Sequence, residues 1–316
     1  MARSDVVGAR GLGHLHGSPS AGRFVPEVRR RLTAPRSRLH GSEFTWAIAF
    51  VVPYAAVFIA FIAYPLAYGL WMASEMSLYA DLLQNPFYLR TVVNTVIFVA
   101  VGVNVQMFLA LLLSGFFMRR RWWIKPLLGF YILPWAISVI PAFISWHWML
   151  IDDQGFLNSA LRELFGIEGP LWLADRWLAL GANIVSYIWK WMPFWTVVFL
   201  AARMAIPREI LEAAEVDGAT GSRRFLHVTL PLLANIYLIC TMLSTVWTLG
   251  DFTTVSFVSG GGPVHASEVL ATLAIRFAFD AANPALGVAA TMSALPILIP
   301  VALILARRLQ MRGVQL

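Results

Sequence analysis

Six long apolar stretches constrain this chain more than any other feature of its sequence. Each has no charged residue or a single one, and each exceeds the roughly 20 residues that a helix needs to cross a hydrocarbon core about 30 Å thick. They cover residues 46–72, 91–118, 126–151, 177–202, 232–259 and 281–306. We therefore predict an all-α membrane protein with six transmembrane helices.

The composition supports this class and excludes others. Hydrophobic residues make up 59% of the 316 residues and charged residues only 13%, whereas a soluble domain is about a quarter charged. Disordered chains need few apolar residues, so disorder of the whole chain is excluded as well. A single cysteine excludes a disulfide scaffold.

The basic residues predict how the chain is oriented. Nineteen of the 24 lysines and arginines lie in the N-terminal tail, the C-terminus and the loops after the second and fourth stretches. Basic loops stay in the cytoplasm. We expect both termini to be cytoplasmic, which an even number of spans also requires.

The sequence predicts a tail and a membrane domain. Residues 1–45 form a basic segment without hydrophobic periodicity, which we expect to be a disordered cytoplasmic tail, and residues 46–310 form the transmembrane domain. The run Arg29–Arg31 is suited to nucleic acid or to anionic lipid. Its position before a span favours the lipid membrane, so no nucleic-acid partner is predicted.

The sequence contains no recognisable catalytic or nucleotide-binding motif. A G-x-x-x-x-G-K-[ST] phosphate loop is impossible because neither lysine, Lys125 nor Lys190, follows a glycine. The sequence has no H-E-x-x-H and no G-x-S-x-G. We therefore predict no catalytic residues, no metal site and no cofactor in this chain.

One predicted cytoplasmic loop, residues 203–231, is organised. Pro207 suits the first turn of a helix, and three glutamates follow it near the positive end of the helix dipole. Gly218 suits a helix stop, Ser222 can cap a second short helix, and Pro231 marks the predicted beginning of the fifth span. This order predicts a cytoplasmic helix-turn-helix.

The loop resembles a known family. The sequences Glu212-Ala213-Ala214, Asp217-Gly218-Ala219 and Leu230-Pro231 are similar to the EAA loop of the membrane subunits of bacterial binding-protein-dependent ABC importers. Asp251-Phe252 and Gly261-Gly262-Pro263 resemble the carbohydrate-uptake subgroup. The resemblance covers about residues 45–310. Asn235 departs from it, because the family often has a second proline there.

The resemblance implies a transport subunit in the bacterial plasma (inner) membrane, not an enzyme. This permease would form half of the pathway for a sugar or a related polyol or oligosaccharide. Its partners would be a second permease subunit, two ATPase subunits that bind ATP and Mg²⁺, and an extracytoplasmic solute-binding protein. The residues that the resemblance assigns to ATPase coupling are Glu212, Ala213, Ala214, Asp217, Gly218, Ala219 and Pro231.

Polar residues inside the spans are candidates for the translocation pathway. Asp251 lies among threonines that include Thr248, and Trp247 stands one helical turn before it, so a ring face and acceptors for hydroxyls come together. A gate or a packing role fits Asp251 equally. Lys190 would pair with a carboxylate, extend to the interface, or serve a structural or gating role. Asn104 also suits hydrogen bonding between helices.

Two predictions concern the loops near the fifth and sixth spans. The turn Gly261-Gly262-Pro263 is a candidate dock for the binding protein. The apolar run 269–279 is too short to cross, and we expect an interfacial or re-entrant helix. The main alternative function is a secondary transporter or channel that works alone, for which we see neither an inverted repeat nor several carboxylates within the spans.

Overall fold

The computed structural model describes residues 42–151 and 154–313 of the chain. Nearly all of the predicted tail, including Arg29–Arg31, therefore lies outside the described residues. The described residues form helices and connecting turns without a strand. This confirms the prediction of an all-α protein.

The chain divides into two compact units, residues 1–59 and 60–316. The described part of the first unit is helix α1, Ser42–Phe58, which contains Pro53 and exposes most of its apolar side chains. A π-helical turn, Ile59–Ala63, separates α1 from α2 along the chain. Together these segments give an apolar stretch, Thr45–Met72, that is long enough to cross a membrane.

The second unit contains fourteen helices among its described residues. They are α2 (Tyr64–Met72), α3 (Met76–Gln84), α4 (Tyr88–Phe117), α5 (Ile124–Ala136), α6 (Val139–Leu150), α7 (Phe156–Phe165), α8 (Arg176–Met204), α9 (Arg208–Val216), α10 (Gly221–Arg224), α11 (Leu230–Leu249), α12 (Thr253–Val258), α13 (Leu270–Ile275), α14 (Pro284–Met292) and α15 (Leu295–Gly313). Two further π-helical turns, Phe225–Thr229 and Arg276–Asp280, follow α10 and α13.

Five segments of the described chain are long and apolar enough to cross a membrane on their own: Thr45–Met72, Tyr88–Phe117, Arg176–Met204, Gly221–Leu249 and Pro284–Gln310. The predicted span 126–151 is instead two helices, α5 and α6, whose axes differ by 94°. The described residues contain six candidate spans if this bent pair counts as one, which agrees with the predicted number.

Pro141 explains where the third span breaks. A proline ring inside a helix clashes with the carbonyl group four residues earlier, and proline has no N–H to donate. The carbonyl four residues before Pro141 belongs to Ile137, which lies in the break and has extended backbone angles. Pro141 itself stands in the first turn of α6, where a donor is not needed.

The fifth span also differs from the prediction. Its helix begins at Gly221, not at residue 232, and ends at Leu249, not at residue 259. Pro231 therefore lies inside a continuous helical segment, after the π-helical turn Phe225–Thr229 that locally widens the backbone. The predicted cap at Ser222 is also not found, because Thr220 precedes the helix and its side chain caps nothing.

The core lies between α4, α8 and α11. Met107, Ala110, Trp195, Phe199 and Leu233 are fully or almost fully buried in one cluster. A second cluster surrounds α13, where Leu270, Leu273 and Phe277 pack with Ala289 and Ala290 of α14. The run 269–279 is thus a buried short helix, which fits the re-entrant alternative better than the interfacial one.

Candidate coupling surface and solute pathway

Helix α9 contains the first of the residues that were predicted to couple the chain to an ATPase. Ala214 is buried, whereas Glu212 and Ala213 on the same helix are exposed. Among the described residues, the ion pairs are Arg224–Glu215, His265–Glu268 and Arg276–Glu268, and none involves Glu212. Glu212 is therefore an exposed carboxylate without an ionic partner among the residues that the structure describes.

Gly218 ends α9 with a defined turn. Its φ angle of 77° lies in the left-handed region, which residues with a Cβ avoid. The N–H of Ala219 donates to the carbonyl of Ala214 at 2.8 Å, and the N–H of Gly218 donates to that of Glu215 at 3.0 Å. This pair of bonds is the Schellman arrangement, which satisfies carbonyls at the end of a helix.

The chain then turns directly into the helical segment that begins at Gly221. Arg224 of this segment forms an ion pair with Glu215 of α9 across the turn. Glu215 is exposed and Arg224 is partly exposed, so the pair adds little stability but connects the two elements. Asp217 and Pro231 are exposed, and Ala219 is half-buried.

Asp251 lies where the fifth span breaks. The helix α11 ends at Leu249, Gly250 follows, and α12 begins at Thr253. The Oδ1 atom of Asp251 accepts a hydrogen bond from the N–H of Thr254 at 3.3 Å. Its Oδ2 atom is buried without a partner. One carboxylate oxygen is thus left for a further donor.

Trp247 lies in an aromatic cluster formed by three helices. Its ring centre is 5.4 Å from that of Trp195 and 5.8 Å from that of Phe194. Trp135 of α5 stacks on Phe194 at 5.8 Å. Trp247 and Trp135 both remain 44% exposed, so the cluster presents ring faces at a surface. Because the helix ends at Leu249, Trp247 and Asp251 do not share a helical face as predicted.

Thr248 already uses its hydroxyl group within the chain. Its O–H donates to the carbonyl of Ser244 at 2.7 Å, and the hydroxyl of Tyr187 lies 2.8 Å from the same oxygen. Thr248 is almost fully buried. It therefore joins α11 to α8 in this conformation.

Lys190 has no carboxylate partner among the described residues. Its side chain is fully buried, and its ammonium donates to the carbonyls of Pro134 at 2.7 Å, of Trp135 at 3.3 Å and of Ile137. These carbonyls belong to the end of α5 and to the break after it. Of the alternatives left open for Lys190, this geometry fits a structural role and neither an ion pair nor an extension to the interface, because the acceptors are backbone groups.

Asn104 stays apart from this group. It is exposed, and its amide donates to the carbonyl of Ala100 in its own helix at 2.7 Å. Its amide thus bonds within its own helix, and no hydrogen bond to another helix is formed among the described residues. No hydrogen bond or ring contact of the described residues joins Asn104 to Trp247 or Asp251.

The turn at Gly261 is tightly built. Gly261 has a φ angle of 74°, and the peptide bond between Gly262 and Pro263 is cis. A Cβ atom on Gly261 would lie 2.6 Å from Cγ of Glu268. The Ser267 hydroxyl donates to the carbonyl of Gly262 at 2.5 Å.

Glu268 fixes this turn to the following helix, a feature that the sequence analysis missed. Its carboxylate is buried and accepts from Nε and Nη2 of Arg276, both at 2.9 Å. The Nδ1 atom of His265 is 2.9 Å from the same carboxylate. A buried carboxylate requires such partners. The sequence indicated this pair only through the presence of an acidic residue, Glu268, eight residues before a basic one, Arg276.

Metal ligands do not gather in the described part of the chain, where no group of three or more His, Cys, Asp or Glu side chains could hold an ion. His147 instead contacts the carbonyl of Val258 at 2.8 Å, a contact between α6 and α12.

Residues 66–312 match the sequence profile of the family described as "Binding-protein-dependent transport system inner membrane component". The sulfoquinovosyl glycerol transport system permease protein SmoG of Agrobacterium fabrum is 31% identical over 61% of this chain and 62% of its own length. The trehalose/maltose transport system permease protein MalF of Thermococcus litoralis is 29% identical over 76% of this chain and 86% of its own length.

A solved structure has the same fold. A chain of the crystal structure of a bacterial ABC transporter involved in the import of the acidic polysaccharide alginate matches with a TM-score of 0.71. The match covers 85% of this chain and 96% of that one at 21% identity. Likeness at this identity concerns the fold alone.

Proposed function

The chain belongs to the family of inner membrane components of binding-protein-dependent transport systems, and we propose that it forms half of the solute pathway of an ATP-driven importer. The match to this family over residues 66–312 is the observation that carries the proposal. A second permease subunit would supply the other half of the pathway. The membrane domain would cover residues 46–310, and the tail before it would contact anionic lipid.

The coupling surface would be α9 and the turn at Gly218. A separate ATPase subunit, which binds ATP and Mg²⁺, would dock there, and one such subunit would serve each permease. Glu212 is exposed and has no ionic partner within the described part of the chain, so it is available to a basic group of that subunit. Asp217 is exposed beside it, and the small residues Ala213 and Ala219 permit close approach.

The orientation follows from the basic residues. With nineteen of the 24 lysines and arginines on one side, both termini and α9 would face the cytoplasm, where ATP is available. The turn Gly261-Gly262-Pro263 would then face outward. Its rigid backbone suits it to contact an extracytoplasmic solute-binding protein.

The solute would be a sugar or a related polyol or oligosaccharide. The exposed rings of Trp247 and Trp135 offer flat apolar faces. The Oδ2 atom of Asp251 is buried in this conformation and would accept from a solute hydroxyl group only in a state that opens the packing around it. Thr248 would hold α11 against α8 and contact solute only if that packing changes. The relatives named above transport a sulfoquinovosyl glycerol and trehalose or maltose, which agrees with this class.

The mechanism would be a rigid-body motion between two states. Closure of the ATPase subunits on ATP would draw the two coupling surfaces together and change which side of the membrane the pathway opens to. The loaded binding protein must favour the same state as ATP, because coupling needs a shared preference.

Reconstitution tests this proposal against a transporter that works alone. The chain is reconstituted with its partner permease and ATPase, and separately without the ATPase, and uptake of labelled disaccharide is measured with the binding protein present. We expect uptake only in the complete system and only with ATP. Uptake by the chain alone, insensitive to ATP, would establish the alternative of a secondary transporter or channel.

A further inference from the structure

A basic cavity lies where the ends of α4 and α8 meet the segment that leads into α11. It has a volume of about 350 Å³, and its lining includes Gly115, Arg119, Arg203, Leu211, Arg224 and Thr229. A second cavity of about 460 Å³ is lined by the same three arginines. Three arginines thus line the same concave region.

The positive charges at this cavity exceed the negative ones. Arg203 is only 7% exposed, yet it donates to neutral acceptors, the Ser114 hydroxyl at 2.7 Å and the Leu111 carbonyl at 3.0 Å. Among the described ion pairs, only Arg224 of the three arginines has a carboxylate partner, Glu215. Three positive charges therefore face one negative charge.

The surroundings of the cavity specify what kind of anion fits. Both α4 and α8 are long apolar spans that end beside the cavity, at Phe117 and Met204. Met118, an exposed apolar side chain, lines it, and the exposed Met204 and Leu226 are chain neighbours of the lining residues Arg203 and Phe225. An occupant that joins an anionic group to hydrocarbon matches both the arginines and their neighbours.

We propose that this cavity binds the phosphate headgroup of an anionic phospholipid. Guanidinium groups bind phosphate oxygens through paired N–H donors, and basic groups at the membrane surface attract anionic lipid. Arg203, held by Ser114 and Leu111, would be the fixed contact, and Arg119 and Arg224 would close around the phosphate. The cavity borders the proposed coupling surface, because Leu211 of α9 lines it, but its lining includes none of the candidate pathway residues. It therefore adds a lipid ligand to the importer.

Lipid retention by the assembled importer tests the site. The complex is purified from nanodiscs that contain equal amounts of phosphatidylglycerol and phosphatidylcholine, and bound lipid is counted by native mass spectrometry. We expect preferential retention of phosphatidylglycerol, weakened about fivefold in Arg119→Gln, the factor that corresponds to one basic residue near an anionic surface. Arg121→Gln is the matched control, since it removes the same charge from an exposed residue that does not line the cavity.

Three results would overturn the proposal. Equal retention of both lipids would show that the cavity has no preference for anionic lipid. Equal loss in Arg119→Gln and Arg121→Gln would assign the effect to general surface charge. If inorganic phosphate alone raises the melting temperature of the complex, and Arg119→Gln abolishes that rise while lipid retention is unchanged, the ligand is free phosphate. Arg119 is exposed, so its variant is not expected to disturb folding.

Discussion

The ammonium of Lys190 lies 2.7 Å from the carbonyl oxygen of Pro134, and this contact joins α8 to the break in the third span. The end of α5 has carbonyls without helical donors, and Pro141 forces Ile137 out of a regular helix. A cation at the C-terminal end of α5 also interacts favourably with the negative end of the helix dipole. Lys190 therefore donates hydrogen bonds to backbone carbonyls that the break in the helix leaves without N–H donors.

Replacing this lysine should destabilise the protein. In Lys190→Met the buried carbonyls of Pro134, Trp135 and Ile137 lose their charged donor, and we expect the free energy of unfolding to fall by about 3 kcal/mol. Thermal unfolding of the purified protein in detergent measures this. Lys125→Met removes a lysine that is exposed, and it should leave the melting temperature nearly unchanged. Equal stability of the two variants would refute the role of Lys190.

The third and fifth spans show what could be predicted from sequence and what could not. The existence of apolar spans follows from length and hydrophobicity, because crossing the hydrocarbon core demands both. The partner of Lys190 does not follow, because its acceptors are backbone carbonyls that become free only when Pro141 breaks the helix and α8 packs beside it. Likewise, the relation of Trp247 to Asp251 depended on whether the helix continues past Gly250, and a glycine permits either outcome.

Gly218 should be intolerant of proline. Its φ angle of 77° is inaccessible to proline, whose ring fixes φ near −65°, and proline would remove the N–H that donates to Glu215. In Gly218→Pro we expect the ATPase to be lost from the purified complex while the permease still inserts into the membrane. Co-purification with a tagged permease measures the first, and the membrane fraction measures the second.

Two glycine-to-alanine substitutions distinguish the effect of the turn conformation from the general effect of adding a side chain. No atom lies within 4 Å of a Cβ at Gly218 or at Gly129 of α5, but only Gly218 has a positive φ angle. Gly218→Ala should cost about 1–2 kcal/mol and weaken ATPase binding, and Gly129→Ala should do neither. Unchanged ATPase binding in both glycine-218 variants would contradict the docking assignment.

The turn at Gly261 should be sensitive to one methyl group. In Gly261→Ala the new Cβ would lie 2.6 Å from Cγ of Glu268, so Glu268 must move and its bonds to Arg276 must weaken. Gly260 also has a positive φ angle but open space around a Cβ, so Gly260→Ala tests backbone strain alone. We expect Gly261→Ala to reduce the stimulation of ATPase activity by loaded binding protein more strongly than Gly260→Ala. Identical effects would mean that the Glu268 contact does not matter for the dock.

Trp247 should determine affinity for the solute. In Trp247→Ala the exposed ring face beside Phe194 and Trp195 is lost, and an aromatic contact is worth about 1 kcal/mol, so KM for uptake should rise roughly fivefold. Trp247→Phe keeps a ring and should recover most of the affinity. Trp122→Ala removes a tryptophan that is 87% exposed and outside this cluster, and it should leave KM unchanged. If instead both alanine variants lower uptake through the amount of protein in the membrane, with KM constant, Trp247 is a packing residue and the solute binds elsewhere.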